Sequence, residues 1–261
     1  KKYLPKDQKL PEIPKPAPVM AVEHIKFTSF ASLYGILPKP LESEKPLSFE
    51  DLDQAYGFVL YRTVISESGT LKVDGLRDFA SVFLNGNKIK DLDRRLNESE
   101  ANLINVKENS VLDILVENNG RINYGTFLTD NRKGIIKSVS LNKRELSGWK
   151  MYRLPFSDLK EIKFSKNPVV LKNIPGFYRA EFGLKETEDT YLDMRRFGKG
   201  FVFLNGRNLG KYWQIGPQQT IYIPAAWLKK GKNELVVFDA LKSGHTEISM
   251  VSKPVLDQNQ P

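Results

Sequence analysis

Val82-Phe83-Leu84-Asn85-Gly86 returns as Val202-Phe203-Leu204-Asn205-Gly206, an offset of 120 residues between Asn85 and Asn205. An unbroken apolar run suits a strand buried on both faces or at the centre of a sheet. Asn-Gly tolerates the positive φ angles of a type I′ hairpin turn. Each copy has a mixed tail, Asn87-Lys88-Ile89 and then Arg207-Asn208-Leu209. Each is also followed at a distance by an Asn-containing turn and a further apolar strand, Glu108-Asn109-Ser110-Val111-Leu112 and Lys232-Asn233-Glu234-Leu235-Val236. Two copies spaced about one domain apart predict two β-sandwiches of one architecture in tandem.

Outward from the repeat, short strand-like runs rich in β-branched and aromatic residues lie between Gly, Asn and Asp breaks. The first series is 57–65, 69–73, 80–84, 111–117, 134–141 and 149–154. The second is 176–184, 190–194, 201–204, 220–223, 234–240 and 246–251. No long amphipathic helix interrupts them. The fold class is therefore all-β, as two jelly-roll sandwiches. Prolines at 5, 11, 14, 16 and 18 make residues 1–20 an extended linker. Residues 21–160, with a candidate strand at 25–30 and a capped turn at Ser48-Phe49-Glu50-Asp51, form the expected first domain. Residues 161–261 form the second, the break falling in the polar segment 156–168.

Composition removes several functions. The chain has 261 residues, 40% hydrophobic, enough for a real core. There is no cysteine, so disulfides, thiolate metal sites and a cysteine nucleophile are excluded. The two histidines, His24 and His245, lie far apart without metal-ligand spacing, which argues against a zinc centre or a Ser-His-Asp triad. No Asp/Asn spacing resembles a calcium loop, and neither a metal nor a cofactor is expected. The formal charge of +9 invites a nucleic-acid partner. The basic residues do not cluster beyond short turns such as Lys229-Lys230-Gly231-Lys232, so a solvated basic surface is the better reading. No apolar run reaches the ~20 residues of a membrane span. Neither nucleic acid nor membrane is an expected partner.

The longer motifs resemble a known family. The run 198–206, then Asn208-Leu209-Gly210-Lys211-Tyr212-Trp213, then 216–224, continued by Trp227-Leu228-Lys229, is similar to the C-terminal signature of family 35 β-galactosidases. Upstream, Tyr56-Gly57, Leu60-Tyr61-Arg62-Thr63, Val116-Glu117-Asn118, 120–125, Lys133-Gly134-Ile135 and Trp149 resemble that family's first β-domain. The resemblance covers roughly residues 20–255. It implies galactose-binding-like jelly rolls following a catalytic (β/α)8 barrel in the same parent chain. It also implies a retaining mechanism on galactosides, with both catalytic glutamates in the barrel. The barrel motifs are absent here, and no acidic pair stands out as the two carboxylates ~5–5.5 Å apart that retention needs. The chain alone is expected to be inactive, and no residue is assigned as catalytic. Taken with the missing cysteines, the family habit points to an exported bacterial parent.

Site expectations follow from the same resemblance. Tyr124, in Asn123-Tyr124-Gly125, stands where the family has a loop that helps wall the galactose pocket; a tyrosine capping its own domain is the alternative. Tyr212, Trp213 and Trp227, with Asn208, Gln218 and Gln219 nearby, allow a sugar-stacking patch and hence an autonomous carbohydrate-binding module. Packing over the end of a sandwich is the stronger reading for these aromatics. Arg121 is expected to hold a carboxylate. Two departures put ion pairs in doubt: Lys211 stands where the family often has Arg, losing the planar fork, and Phe79 replaces Arg in Asp78-Phe79-Ala80.

Overall fold

Both copies of the repeated pentapeptide form hairpins in the computed structural model, which describes residues 12–166, 174–242 and 244–256. Asn85, Gly86, Asn205 and Gly206 have φ of 49°, 78°, 51° and 79°, the two positive values in a row that a type I′ turn requires. The asparagine does a second job. Asn85 Oδ1 accepts from Val111 N at 2.8 Å and Asn205 Oδ1 from Glu234 N at 3.0 Å, so each turn also holds the neighbouring strand.

The strands in chain order are β1 (Val22–Ser32), β2 (Leu41–Ser43), β3 (Phe58–Ile65), β4 (Gly69–Arg77), β5 (Phe79–Leu84), β6 (Asn87–Asp93), β7 (Glu100–Leu103), β8 (Ser110–Glu117) and β9 (Gly134–Leu141). They continue as β10 (Arg144–Glu145), β11 (Trp149–Leu154), β12 (Gly176–Leu184), β13 (Thr190–Asp193), β14 (Lys199–Leu204), β15 (Arg207–Trp213), β16 (Thr220–Ile223), β17 (Gly231–Asp239) and β18 (Glu247–Val251). One sheet runs β2-β11-β3-β8-β5-β6 and a second β10-β9-β4-β7. The third runs β15-β14-β17-β12-β1-β18-β13-β16 and doubles over through β1, which pairs with β12 on one side and β18 on the other. The order β6-β5-β8-β3 matches β15-β14-β17-β12. Even the register shift recurs, between Val82 and Phe83 in one copy and Val202 and Phe203 in the other.

The sheets stack in four layers with three apolar interiors. Val82, Leu84, Ile114 and Val139 fill the first sandwich; Val202, Leu204, Val237 and Ile248 fill the second. Between them, Phe58, Phe83, Leu115 and Leu154 of the first meet Phe177, Phe201, Phe203 and Phe238 of the second. This explains the unbroken apolar runs: every residue of β5 and of β14 is buried, alternately in a sandwich core and in the seam. Phe238 lies at the seam's centre, its ring 4.7 Å from Phe177, 5.2 Å from Phe156 and 5.3 Å from Phe58 and Phe201.

One boundary is corrected. Residues 22–32 were expected in the first domain, yet β1 lies between β12 and β18 of the second sandwich. The first sandwich is thus inserted between β1 and β12. Chain order misled because an isolated apolar strand carries no mark of which sheet it will join. Of the expected linker, residues 1–11 lie outside the described residues; Met20 N is bonded to Asp189 O at 2.9 Å, so the segment's end is fixed to the second sandwich.

Candidate functional site

The connection from β8 to β9, residues 118–133, is the longest in the first sandwich and carries Tyr124. Its base is held by two carboxylates from other elements. Asp78 accepts from Asn119 N at 3.1 Å and Lys133 Nζ at 2.7 Å, and pairs with Arg94 at 3.0 Å. Glu50, in the turn capped by Ser48, accepts from Lys133 N at 3.0 Å and pairs with Arg121. Burial would raise the Glu50 carboxyl, but these hydrogen bonds outweigh it and hold its pKa below the ordinary 4.5. Arg121 also donates to the Asn131 and Ala55 carbonyls at 2.8 and 3.2 Å. Ile122 and Asn131 close the stem by exchanging bonds of 3.3 and 3.0 Å.

Above this braced base the tip stands in the open. Tyr124 is 89% exposed, beside Gly125 with φ of 99°, and Leu128 is 52% exposed. Tyr56, next to the Ala55 carbonyl that anchors the stem, is 53% exposed. Such a tip can bind and orient through flat apolar surface and one phenol. It offers no free acid or base of its own, because Glu50, Asp78 and Asp130 are all tied to cations. Among the described residues no group of His, Asp and Glu is placed to hold a metal.

The other expected contacts belong to the seam between the sandwiches. Glu117 at the end of β8 is 1% exposed and pairs with Lys199 at 2.9 Å and Lys211 at 3.0 Å, both from the second sandwich. Burial pushes the Lys199 pKa down against the pull of Glu117. Lys211 also donates to the Asn118 carbonyl at 2.6 Å, so the bridge left in doubt by the missing guanidinium does form. Asp78 likewise keeps two cations despite Phe79, whose ring meets Trp213 at 5.5 Å. The Trp213 ring centre lies 3.6 Å from the Lys199 ammonium and 4.2 Å from the Arg95 guanidinium. Tyr212 is 6% exposed and its hydroxyl donates to Phe238 O at 2.8 Å. The buried Tyr212 ring offers a sugar no stacking face, whereas Trp213 is half-buried and lines a hollow with Pro217 and Gln218. Trp227 follows Pro224 in a single 3₁₀ turn and packs at the edge of the second core, with Arg207 5.5 Å from its ring.

The carboxylate expected for Arg121 is Glu50, but the sequence identified neither it nor the other anchors of the loop. Glu50 lies 71 residues from Arg121, and Asp78 55 from Lys133. The signal within reach was the capped turn around Glu50.

Two stacked sandwiches joined by an aromatic seam, with a braced loop presenting an exposed tyrosine, define a two-sandwich β-protein. The description "Beta-galactosidase, first all-beta domain" matches residues 46–155, and "Beta-galactosidase, galactose-binding domain" matches 175–233. The chain belongs to the β-galactosidase family through these two all-β domains. It is 37% identical to a β-galactosidase of Xanthomonas manihotis over 82% of this chain and 36% of that protein. It is 36% identical to human β-galactosidase-1-like protein 2 over 96% of this chain and 41% of that one. The chain thus spans about two fifths of the length of the curated relatives it matches.

Proposed function

We propose that this chain is the non-catalytic portion of a β-galactosidase that hydrolyses terminal β-galactosyl residues. It buttresses a catalytic barrel in the same parent protein and lends the 118–133 loop to the galactose pocket. Tyr124 positions the sugar in this reading and transfers no proton. The observation that carries it is the pairing of a loop base fixed by Glu50 and Asp78 with a tip where Tyr124 is 89% exposed. A loop braced so firmly, with apolar residues left uncovered at its tip, fits a surface completed by another part of the protein. The division of labour is tested with a chromogenic galactoside. This chain alone is expected to give no turnover and the full-length parent to be active. Tyr124→Ala in the parent should raise KM more than it lowers kcat. Turnover by this chain, or an unchanged KM in the variant, would reject the reading.

A further inference from the structure

Glycine follows asparagine at three places, Asn85-Gly86, Asn119-Gly120 and Asn205-Gly206. The pair is chemically vulnerable, because a residue without a Cβ lets its backbone nitrogen come close to the preceding side chain. Attack by the glycine nitrogen on the asparagine Cγ closes a succinimide ring and expels ammonia. In a folded protein the outcome depends on what holds the amide.

Both hairpin asparagines are held at each end of the amide. Asn85 Oδ1 accepts from Val111 N at 2.8 Å, while its Nδ2 donates to Ser110 Oγ at 3.2 Å. Asn205 Oδ1 accepts from Glu234 N at 3.0 Å, while its Nδ2 donates to the Trp227 carbonyl and to Asn233 Oδ1, both at 2.9 Å. Asn119 is held at its oxygen alone. Its Oδ1 accepts from Lys199 Nζ at 2.8 Å, and among the described residues Nδ2, the leaving group, has no partner. The bond that Asn119 keeps favours the reaction. Negative charge gathers on Oδ1 as the glycine nitrogen attacks, and an ammonium already in place there stabilises it. Lys199 is itself fixed by Glu117 at 2.9 Å and by the Trp213 ring at 3.6 Å, so the donor does not drift away. Asn119 also lines a hollow of about 430 Å³ with Trp213 and Pro217, a route in for water and out for ammonia. Gly120 is exposed, and its N–H is tied to Asn118 Oδ1 by one bond of 2.9 Å.

We propose that Asn119 is a self-modifying site, converted in the folded protein to aspartate and isoaspartate. The bond from Gly120 N to Cγ forms. The Gly120 N–H proton, given up to solvent, is returned to Nδ2 as the Cγ–Nδ2 bond breaks and ammonia leaves. Water then opens the succinimide. Addition at Cγ gives aspartate; addition at the main-chain carbonyl gives isoaspartate, in which the chain runs through the side-chain carbon. Either product puts a second carboxylate beside Lys199, in competition with Glu117, and isoaspartate also lengthens the root of the 118–133 loop. Breaking one hydrogen bond of ordinary strength costs about tenfold in rate. The order is therefore Asn119 fastest, Asn85 slower and Asn205 slowest. The modification is independent of the function proposed above, and only its effect on Tyr124 in the parent rests on that reading.

The test is prolonged incubation of this chain at mildly alkaline pH, followed by peptide mapping in a mass spectrometer with fragmentation that tells isoaspartate from aspartate. The mass gain of an amide turned carboxylate should appear at Asn119 at least about tenfold faster than at Asn85 or Asn205. In urea above the unfolding transition the three rates should converge, because the retaining hydrogen bonds and the Lys199 donor are lost together. Asn119→Gln keeps an amide for Lys199 but needs a larger ring, and should show no mass gain at this position. The readout is a mass and not an activity, so it stands or falls apart from the role proposed for Tyr124. No conversion at Asn119, conversion of either hairpin asparagine as fast in the folded chain, or the same ranking in urea would overturn the proposal.

Discussion

Glu117→Gln tests whether the two sandwiches are locked by a desolvated ion cluster or only by apolar contact. Glu117 is 1% exposed, and the Lys199 side chain 4% exposed, with 2.9 Å between them. At an effective dielectric near 20 this separation corresponds to a gross attraction of about 6 kcal/mol, most of it offsetting the cost of removing both charges from water. Neutralising Glu117 forfeits the attraction but leaves the Lys199 ammonium buried, with Asn119 Oδ1 at 2.8 Å and the Trp213 and Phe79 rings beside it. The expected loss is therefore about 3–5 kcal/mol, the usual range for breaking one side of a buried pair. Lys211, 42% exposed, reaches water and adds little. Glu117→Leu/Lys199→Met removes both charges together and should lie within about 2 kcal/mol of the natural protein. Urea unfolding followed by tryptophan fluorescence reads all the variants, and the single variants Glu117→Leu and Lys199→Met close the cycle that yields the coupling energy. A Glu117→Gln cost below about 1 kcal/mol would refute the argument, as would a double variant no more stable than the single one.

Phe238→Ala should cost about 3–5 kcal/mol. Because the side chain fills the seam, it should also split one calorimetric transition into two. Asn85→Ala and Asn205→Ala should each cost about 1–2 kcal/mol, through a lost acceptor for a strand N–H and a strained positive φ; the corresponding Gly variants relieve the strain but not the lost bond, so they should cost less. Acidification should loosen the Tyr124 loop first. The Glu50 carboxyl is held below 4.5, so its contribution is complete above that value and is lost as pH falls through its lowered folded pKa. Hydrogen-exchange protection in 118–133, corrected for the intrinsic pH dependence of amide exchange, should fall between about pH 5 and pH 3 before that of the seam strands, and Glu50→Gln should remove that step.

How much of this was legible depends on where each strand sits. The central strands declared themselves, because burial on two faces writes an unbroken apolar run such as Phe201-Val202-Phe203-Leu204. Their hairpin partners did not. The β6 sequence Asn87-Lys88-Ile89-Lys90-Asp91-Leu92-Asp93 and the β15 sequence Arg207-Asn208-Leu209-Gly210-Lys211-Tyr212-Trp213 form the edges of their sheets. Edge strands carry charge that blunts further pairing and erases the apolar signature. The role proposed for Tyr124 rests on resemblance, since an exposed tyrosine beside a glycine has many uses. Its anchors were invisible because salt bridges between distant segments leave no local pattern.

The insertion of the first sandwich between β1 and β12 gives the seam its importance. A domain held only by the two connections entering and leaving it would hinge, because short inter-domain contacts permit relative motion by default. Here the connections are supplemented by the stacked phenylalanines around Phe238 and by Glu117, which receives one lysine from β14 and another from β15. Glu117 is also the residue from which the 118–133 loop departs. Lys211 holds the Asn118 carbonyl at 2.6 Å, and Lys199 donates to Asn119 Oδ1 at 2.8 Å. The second sandwich therefore grips the root of the loop that carries Tyr124. A change at the seam should move that tyrosine before it unfolds either sandwich.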